Sequence, residues 1–166
     1  KYQILFAEGT HDNLDLLEQY PAEDWNGGKA RRISGSLMKL ERGNVFTIEG
    51  KKLFVFGGGE SPEMDLRAGD GTWWEQELPT EQEIEQARQT LKEHENRVDC
   101  IITHECSSTV RHFIDMDGEH SNLMTRFFDE ITEQVDFKKW FFGCYHMDKV
   151  IPPRYYAMFQ KVLPLE

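Results

Sequence analysis

The sequence predicts an α/β fold, and three observations carry that prediction. Three apolar runs with strand character each end in a loop that bears a histidine. They are Ile4-Leu5-Phe6-Ala7 before Gly9-Thr10-His11-Asp12, Val98 to Thr103 before His104, and Phe137 to Phe142 before Gly143-Cys144-Tyr145-His146. Two long helix patterns, at residues 80–95 and 119–135, alternate with the second and third of these strands. Between the first strand and the first long helix, the stretch 37–56 reads as three more strands separated by Arg42-Gly43-Asn44 and Glu49-Gly50-Lys51, both hairpin turn signals. Near-continuous apolar runs belong to strands covered on both faces, so strands at 3–7, 98–103 and 137–142 are expected to be central, with Ile101, Ile102, Phe141 and Phe142 buried. In such sheets ligands bind beyond the carboxyl ends of the strands, so the three histidine-bearing tips form the candidate site.

Taken in order, the first strand runs into a turn at Gly9 and a short helix over 13–19, with Asp12 as the expected N-cap and Asp15 as first-turn charge. The first backbone N–H groups of that helix favour an anion. Pro21 ends it, and 21–32 reads as a polar loop with a Trp25-Asn26-Gly27-Gly28 turn. The three strands of 37–56 read as a meander closed by Gly57-Gly58-Gly59, a triplet that permits close backbone approach and is a weak phosphate-loop signal. Pro62, Gly69 and Gly71 make 61–74 a loop with at most one helical turn. Thr80-Glu81-Gln82-Glu83 is a capping box, and Ile84, Ala87 and Leu91 are the inner stripe of the helix it opens. Residues 104–118 read as a loop, and the second long helix turns Leu123, Phe127, Phe128 and Ile131 inward. Pro152-Pro153 marks a turn before two closing strands, 155–159 and 161–165. No repeat, linker or low-complexity stretch divides the chain, so residues 1–166 are expected to be a single domain.

Charge and composition narrow the function classes. A net charge of −11 argues against nucleic acid bound through a basic surface. It also opposes an anionic substrate at long range unless bound metal reverses the sign locally. No apolar run approaches the roughly 18 residues of a membrane span, and no secretory pattern stands at the start. Cys100, Cys106 and Cys144 are an odd number without C-x-x-C spacing, which points to a reducing, cytoplasmic setting.

A single histidine after a strand is usually structural. Three at three strand ends point instead to metal binding or proton transfer. His94, His112 and His120 sit in helix or loop contexts that give them no such role. Gly9-Thr10-His11-Asp12, Ile101-Ile102-Thr103-His104 and Gly143-Cys144-Tyr145-His146, in that order, resemble the later motifs of the calcineurin-like metallophosphoesterases. That family carries Gly-Asn-His-Asp/Glu, a lone His after a strand, and Gly-His-x-His. Asn26-Gly27-Gly28, Phe56-Gly57-Gly58 and the run from Trp73 to Pro79 resemble a bacterial branch of it.

The resemblance spans essentially the whole chain. It implies a four-layer αββα sandwich and a two-metal site that hydrolyses a phosphate ester. Two upstream motifs, Asp-x-His and Gly-Asp, would precede Lys1, so the chain is expected to be the C-terminal part of such a domain, lacking the first strand–helix units. Thr10 stands where the family has a metal-binding Asn, and Cys144 where it has the first His of Gly-His-x-His. Carried over by position, His11 would act at the leaving group and Asp12 would orient it. Thr10, His104, Cys144 and His146 would be the metal ligands. Divalent zinc, manganese or iron is the implied cofactor, two ions in the family and one or none here, with the thiol favouring zinc.

A phosphate-ester small molecule is the implied partner. Trp73, Trp74 and Arg67 are candidate substrate contacts. The expected activity is metal-dependent phosphoester hydrolysis, impaired in this chain. A catalytically inactive binding or scaffolding protein on the same fold is the alternative, and a purely structural role for the three histidines is the third reading.

Overall fold

The computed structural model describes residues 2–114 and 121–165. His120, the start of the 119–135 helix pattern and residues 115–118 of the expected loop lie outside the described residues. Two mixed sheets face each other. The smaller has four strands in the order β1-β4-β3-β2: β1 (Ile4–Phe6), β4 (Leu37–Leu40), β3 (Gly28–Arg32) and β2 (Ala22–Trp25). The larger has six in the order β5-β6-β7-β8-β10-β9: β5 (Asn44–Ile48), β6 (Lys51–Phe56), β7 (Cys100–Thr103), β8 (Lys139–Phe142), β10 (Tyr155–Ala157) and β9 (Lys149–Ile151). β6, β7, β8 and β10 run parallel, with Ile101 beside Trp140 and Tyr156 beside Phe141 in the registers.

Period-two alternation sorts the large sheet's side chains onto two faces. Val45, Phe54, Phe56, Ile101, Trp140 and Phe142 turn to the helices α3 (Glu81–Glu93) and α5 (Leu123–Gln134). Phe46 and Val55 turn the other way and pack on Ala30, Met38 and Leu40 of the small sheet. The helix-side core is aromatic: Phe128 meets Phe56 and Trp140 edge-on at centroid distances of 5.6 Å each. Both rings and the indole are fully buried, and each such side chain contributes about 1.5–3 kcal/mol. The capping box at Thr80 and the buried stripe Ile84, Ala87 and Leu91 stand as the sequence indicates. Phe127, Phe128 and Ile131 are buried and Leu123 partly so. Among the described residues no long helix covers the outer face of the small sheet. The architecture is therefore mixed α/β, helices on one sheet and that sheet on another.

Several expectations need correction. The first strand is not central. It pairs only with β4, at the edge of the small sheet, and Ile4 is 58% exposed. Ile101, Phe141 and Phe142 are buried as expected, but Ile102 is only half-buried, between the two sheets. The 21–32 stretch is not a loop but the β2–β3 hairpin, turning at Asn26 and Gly27 with φ of 49° and 97°. This pair of left-handed residues is what a two-residue hairpin turn demands. The three strands of 37–56 are not one meander, because β4 belongs to the small sheet and β5–β6 to the large one. The chain crosses between sheets at Glu41-Arg42-Gly43, a step that local turn chemistry does not encode.

The loops expected at 61–74 and 104–118 each hold a helix, α2 (Met64–Gly69) and α4 (Ser108–His112). Asn13, not Asp12, caps α1 (Leu14–Glu18), accepting the Leu16 N–H. The closing strands are β9 and β10, paired antiparallel across Pro152-Pro153, and residues 161–165 form no strand.

Candidate functional site

The three tips meet although β1 lies in one sheet and β7 and β8 in the other. One pocket, with a volume of about 390 Å³, is lined by Gly9, Thr10, His11, Asp12, Glu60, Pro62, Glu63, His104, Cys144 and His146. All six residues singled out from sequence therefore line it. Glu60 and Glu63 were not singled out. They follow the glycine triplet, and only the packing of that loop against the tips reveals them.

His104 is the pivot. Trp140 Nε1 donates to the Thr103 hydroxyl at 2.8 Å, and that hydroxyl donates to the Glu105 carbonyl, so the chain turns immediately past β7. The His104 carbonyl then accepts both the Gly143 and Cys144 N–H groups at 3.0 Å, tying the β7 tip to the β8 tip. Its ring lies between two glycines. A Cβ on Gly9 would stand 3.1 Å from Cε1, and one on Gly59 would stand 3.0 Å from Cδ2. Gly9 and Gly59 thus set the backbone against the imidazole at a spacing that a larger residue would disturb. Burial lowers the His104 pKa from its ordinary value. Asp12 opposes the shift, while His11 and His146 add to it.

Beneath the tips lies a buried charge cluster that sequence reasoning missed. Glu8 is fully buried; Arg42 Nε donates to one of its oxygens at 3.0 Å, and Lys39 Nζ stands 3.4 Å from the other. Its backbone carbonyl accepts the Gly58 N–H. Gly57 presses on the Glu8 carboxylate, where a Cβ would come within 2.6 Å. The available signal was a Glu between an apolar run and a Gly turn, a place where a charge needs partners to remain.

Asp12 Oδ2 accepts the Gly9 N–H at 2.7 Å and so closes the Gly9–Asp12 turn. Asp12 thereby shapes the loop that carries His11, whose own side chain is exposed. Thr10 is buried. Cys144 is half-buried, and burial pushes its thiol up to about 11, with Glu105 adding and Arg111 opposing. Next to it, Cys106 donates to the Tyr145 hydroxyl, and burial pushes that thiol up to about 12. His146 is exposed, has a left-handed backbone with φ of 49°, and stacks on Phe159. Non-glycine residues held there store strain of about 1–3 kcal/mol, a feature concentrated at functional sites.

By residue type, two imidazoles and a thiol are the donors that a borderline-soft ion such as zinc takes. Among the described residues, no three His, Cys, Asp or Glu side chains stand close enough together to hold a metal ion.

Arg67 does not face the pocket. It forms a buried bidentate pair with Glu77, at 3.1 and 2.7 Å, and bonds the Thr72 carbonyl. Trp73 lines a larger neighbouring cavity of about 690 Å³, together with Leu14, Leu17, Met64 and Leu78. No helix of the described residues is long and apolar enough to cross a membrane. Comparison with protein-family models, curated proteins and solved structures finds no match to this chain.

Proposed function

We propose that the pocket is a phosphate-ester site of the metal-dependent, calcineurin-like phosphoesterase kind, impaired for turnover by the residues it carries in this chain. The observation that supports this reading is the meeting of Thr10, His11, Asp12, His104, Cys144 and His146 in one pocket from two different sheets. His104, His146 and Cys144 would hold a single divalent ion, zinc ahead of manganese, with Thr10 beside them. Such an ion lowers the pKa of a bound water to about 7 and neutralises phosphate charge. His11, exposed at the pocket, donates a proton to the leaving oxygen. Asp12 keeps His11 in place by closing the turn through Gly9. The chain's net charge of −11 repels an anion until an ion occupies the pocket, so binding of the ester follows binding of the metal.

A second reading, an inactive binding or scaffolding protein on the same fold, is favoured by one observation: no three donors are drawn together among the described residues. Titration calorimetry with zinc and with manganese, on the protein and on Cys144→Ser and Cys144→His, tests the ligand set. The expected result is one zinc per chain, weakened about tenfold or more by Cys144→Ser, a change of at least about 1.4 kcal/mol. Manganese binding should improve in Cys144→His. Identical affinities in all three remove Cys144 from the site. Hydrolysis of p-nitrophenyl phosphate and its diester with added zinc separates the readings. Slow, zinc-dependent release of nitrophenol supports the hydrolase. Phosphate binding without release supports the binding protein.

A further inference from the structure

Within the site just proposed, His146 is the donor least secured by the core, and a separate piece of the chain sets where it stands. Past β10, the Met158 N–H bonds the Phe142 carbonyl at 2.9 Å, which brings the outgoing chain alongside the loop that carries His146. The chain then turns, and the turn is gripped by one carboxylate. Asp148 Oδ1 accepts the N–H groups of Phe159, Gln160 and Lys161 at 2.9, 3.2 and 3.1 Å. Three convergent donors to one ionised side chain make charge-assisted bonds with strict geometry.

Their consequence is the placement of Phe159. Its ring is 54% exposed, so the core does not hold it. It nevertheless lies flat on His146, with centroids 5.2 Å apart and planes at 26°. Offset stacking of this kind is attractive. It occupies one face of the imidazole, while the left-handed backbone at His146 fixes the side chain's root.

We propose that Asp148 and Phe159 form a latch that positions His146, holding its ring on Phe159 and short of the donors His104 and Cys144. Asp148 acts as a positioning residue through Phe159 and touches neither metal nor substrate. Ligation of a metal by His146 then requires the stack to open, so the latch lowers metal affinity and sets which ion can recruit the ring. The inference rests on the metal-site reading for its effect on affinity but not for the contact itself, and the test separates the two.

The test uses the full chain in four forms: the original, Asp148→Asn, Phe159→Leu and Phe159→Tyr. Asp148 and Phe159 lie outside the buried core, so all four should fold. Without metal, the His146 ring protons are followed by NMR. A flat ring above them should shift them upfield in the original protein and in Phe159→Tyr, and the shift should collapse in Phe159→Leu and Asp148→Asn. An unchanged shift in Asp148→Asn overturns the latch.

Zinc titration is the second arm. Opening the stack should tighten zinc binding about two- to tenfold in Asp148→Asn and Phe159→Leu but not in Phe159→Tyr. Equal or weaker binding in those two variants overturns the claim that the latch holds the ring back. Absence of zinc binding in all four forms sinks the metal-site reading, and the ring-proton shifts alone then decide whether Asp148 positions His146.

Discussion

The pocket has two unlike sides. On one side, Glu8, the glycine triplet and Gly9 form a buried wall around His104. Glu8 has two cationic partners, the Gly58 N–H bonds the Glu8 carbonyl and the Gly59 N–H the Glu77 carbonyl, and the His104 ring is held between two glycine backbones. On the other side, Cys144, His146 and Phe159 are half-buried or exposed, and the turn that carries Phe159 rests on the Asp148 carboxylate. The first side is secured by burial, where a missing partner is costly. The second is secured by a few bonds in water, where a missing partner costs little. The difference lies in enclosure: backbone closes on the His104 ring, whereas the His146 ring is exposed and has Phe159 on one face.

The largest expected effect tests the rigid side. Glu8→Ala removes the buried carboxylate that Arg42 and Lys39 share, leaving them only the less buried Glu83 and Glu41, and should lower unfolding stability by about 3–5 kcal/mol in urea melts. A loss below about 1 kcal/mol would show that the wall is not held by this cluster. Next comes Gly58→Ala. Gly58 has φ of 86°, and an added Cβ would press into the Glu77 carbonyl, so a loss of about 1–3 kcal/mol is expected, read from the same melts.

Acid sharpens the comparison further. The His104 pKa is lowered by burial, so the unfolded chain binds a proton more readily than the folded one. Stability of the metal-free protein should then fall as pH drops below about 6.5, the ordinary histidine value. His104→Gln should flatten that slope, as measured by melts between pH 5 and pH 8. An equal slope in the variant would assign the acid sensitivity elsewhere, His94 being the other histidine whose pKa burial lowers.

The smallest effects belong to the more exposed side. Asp148→Asn should move the melting midpoint far less than Glu8→Ala while changing the environment of His146. Cys144, its thiol pushed up to about 11, should react slowly with iodoacetamide at pH 7 and faster as pH rises toward that value, followed by mass spectrometry. Rapid modification at pH 7 would mean that the thiol is less buried than its placement indicates.

Local pattern by itself determined much of this molecule. The Thr80 capping box, the inner stripe Ile84, Ala87 and Leu91, and the apolar runs of β7 and β8 are each set by residues close in sequence, and they stand where the pattern puts them. Histidine at three strand ends was likewise readable, because strand ends are marked by the switch from apolar to turn residues. The tertiary structure decided the rest. β1 reads like a central strand, yet it is an edge, because apolar content reports coverage of a strand's faces and says nothing of which neighbours bond its sides.

The step from β4 to β5 looks like one more hairpin, yet it changes sheets, since both outcomes use the same Gly turn. The sequence points to Asp12 as the cap of α1, yet Asn13 caps it, and the geometry of the Gly9 turn gives Asp12 a different bond. The burial of Glu8 and the grip of Asp148 on residues 159–161 depend on partners many positions away. No local periodicity encodes such long-range pairings, so only the folded chain reveals that one histidine is enclosed and another lies exposed against Phe159.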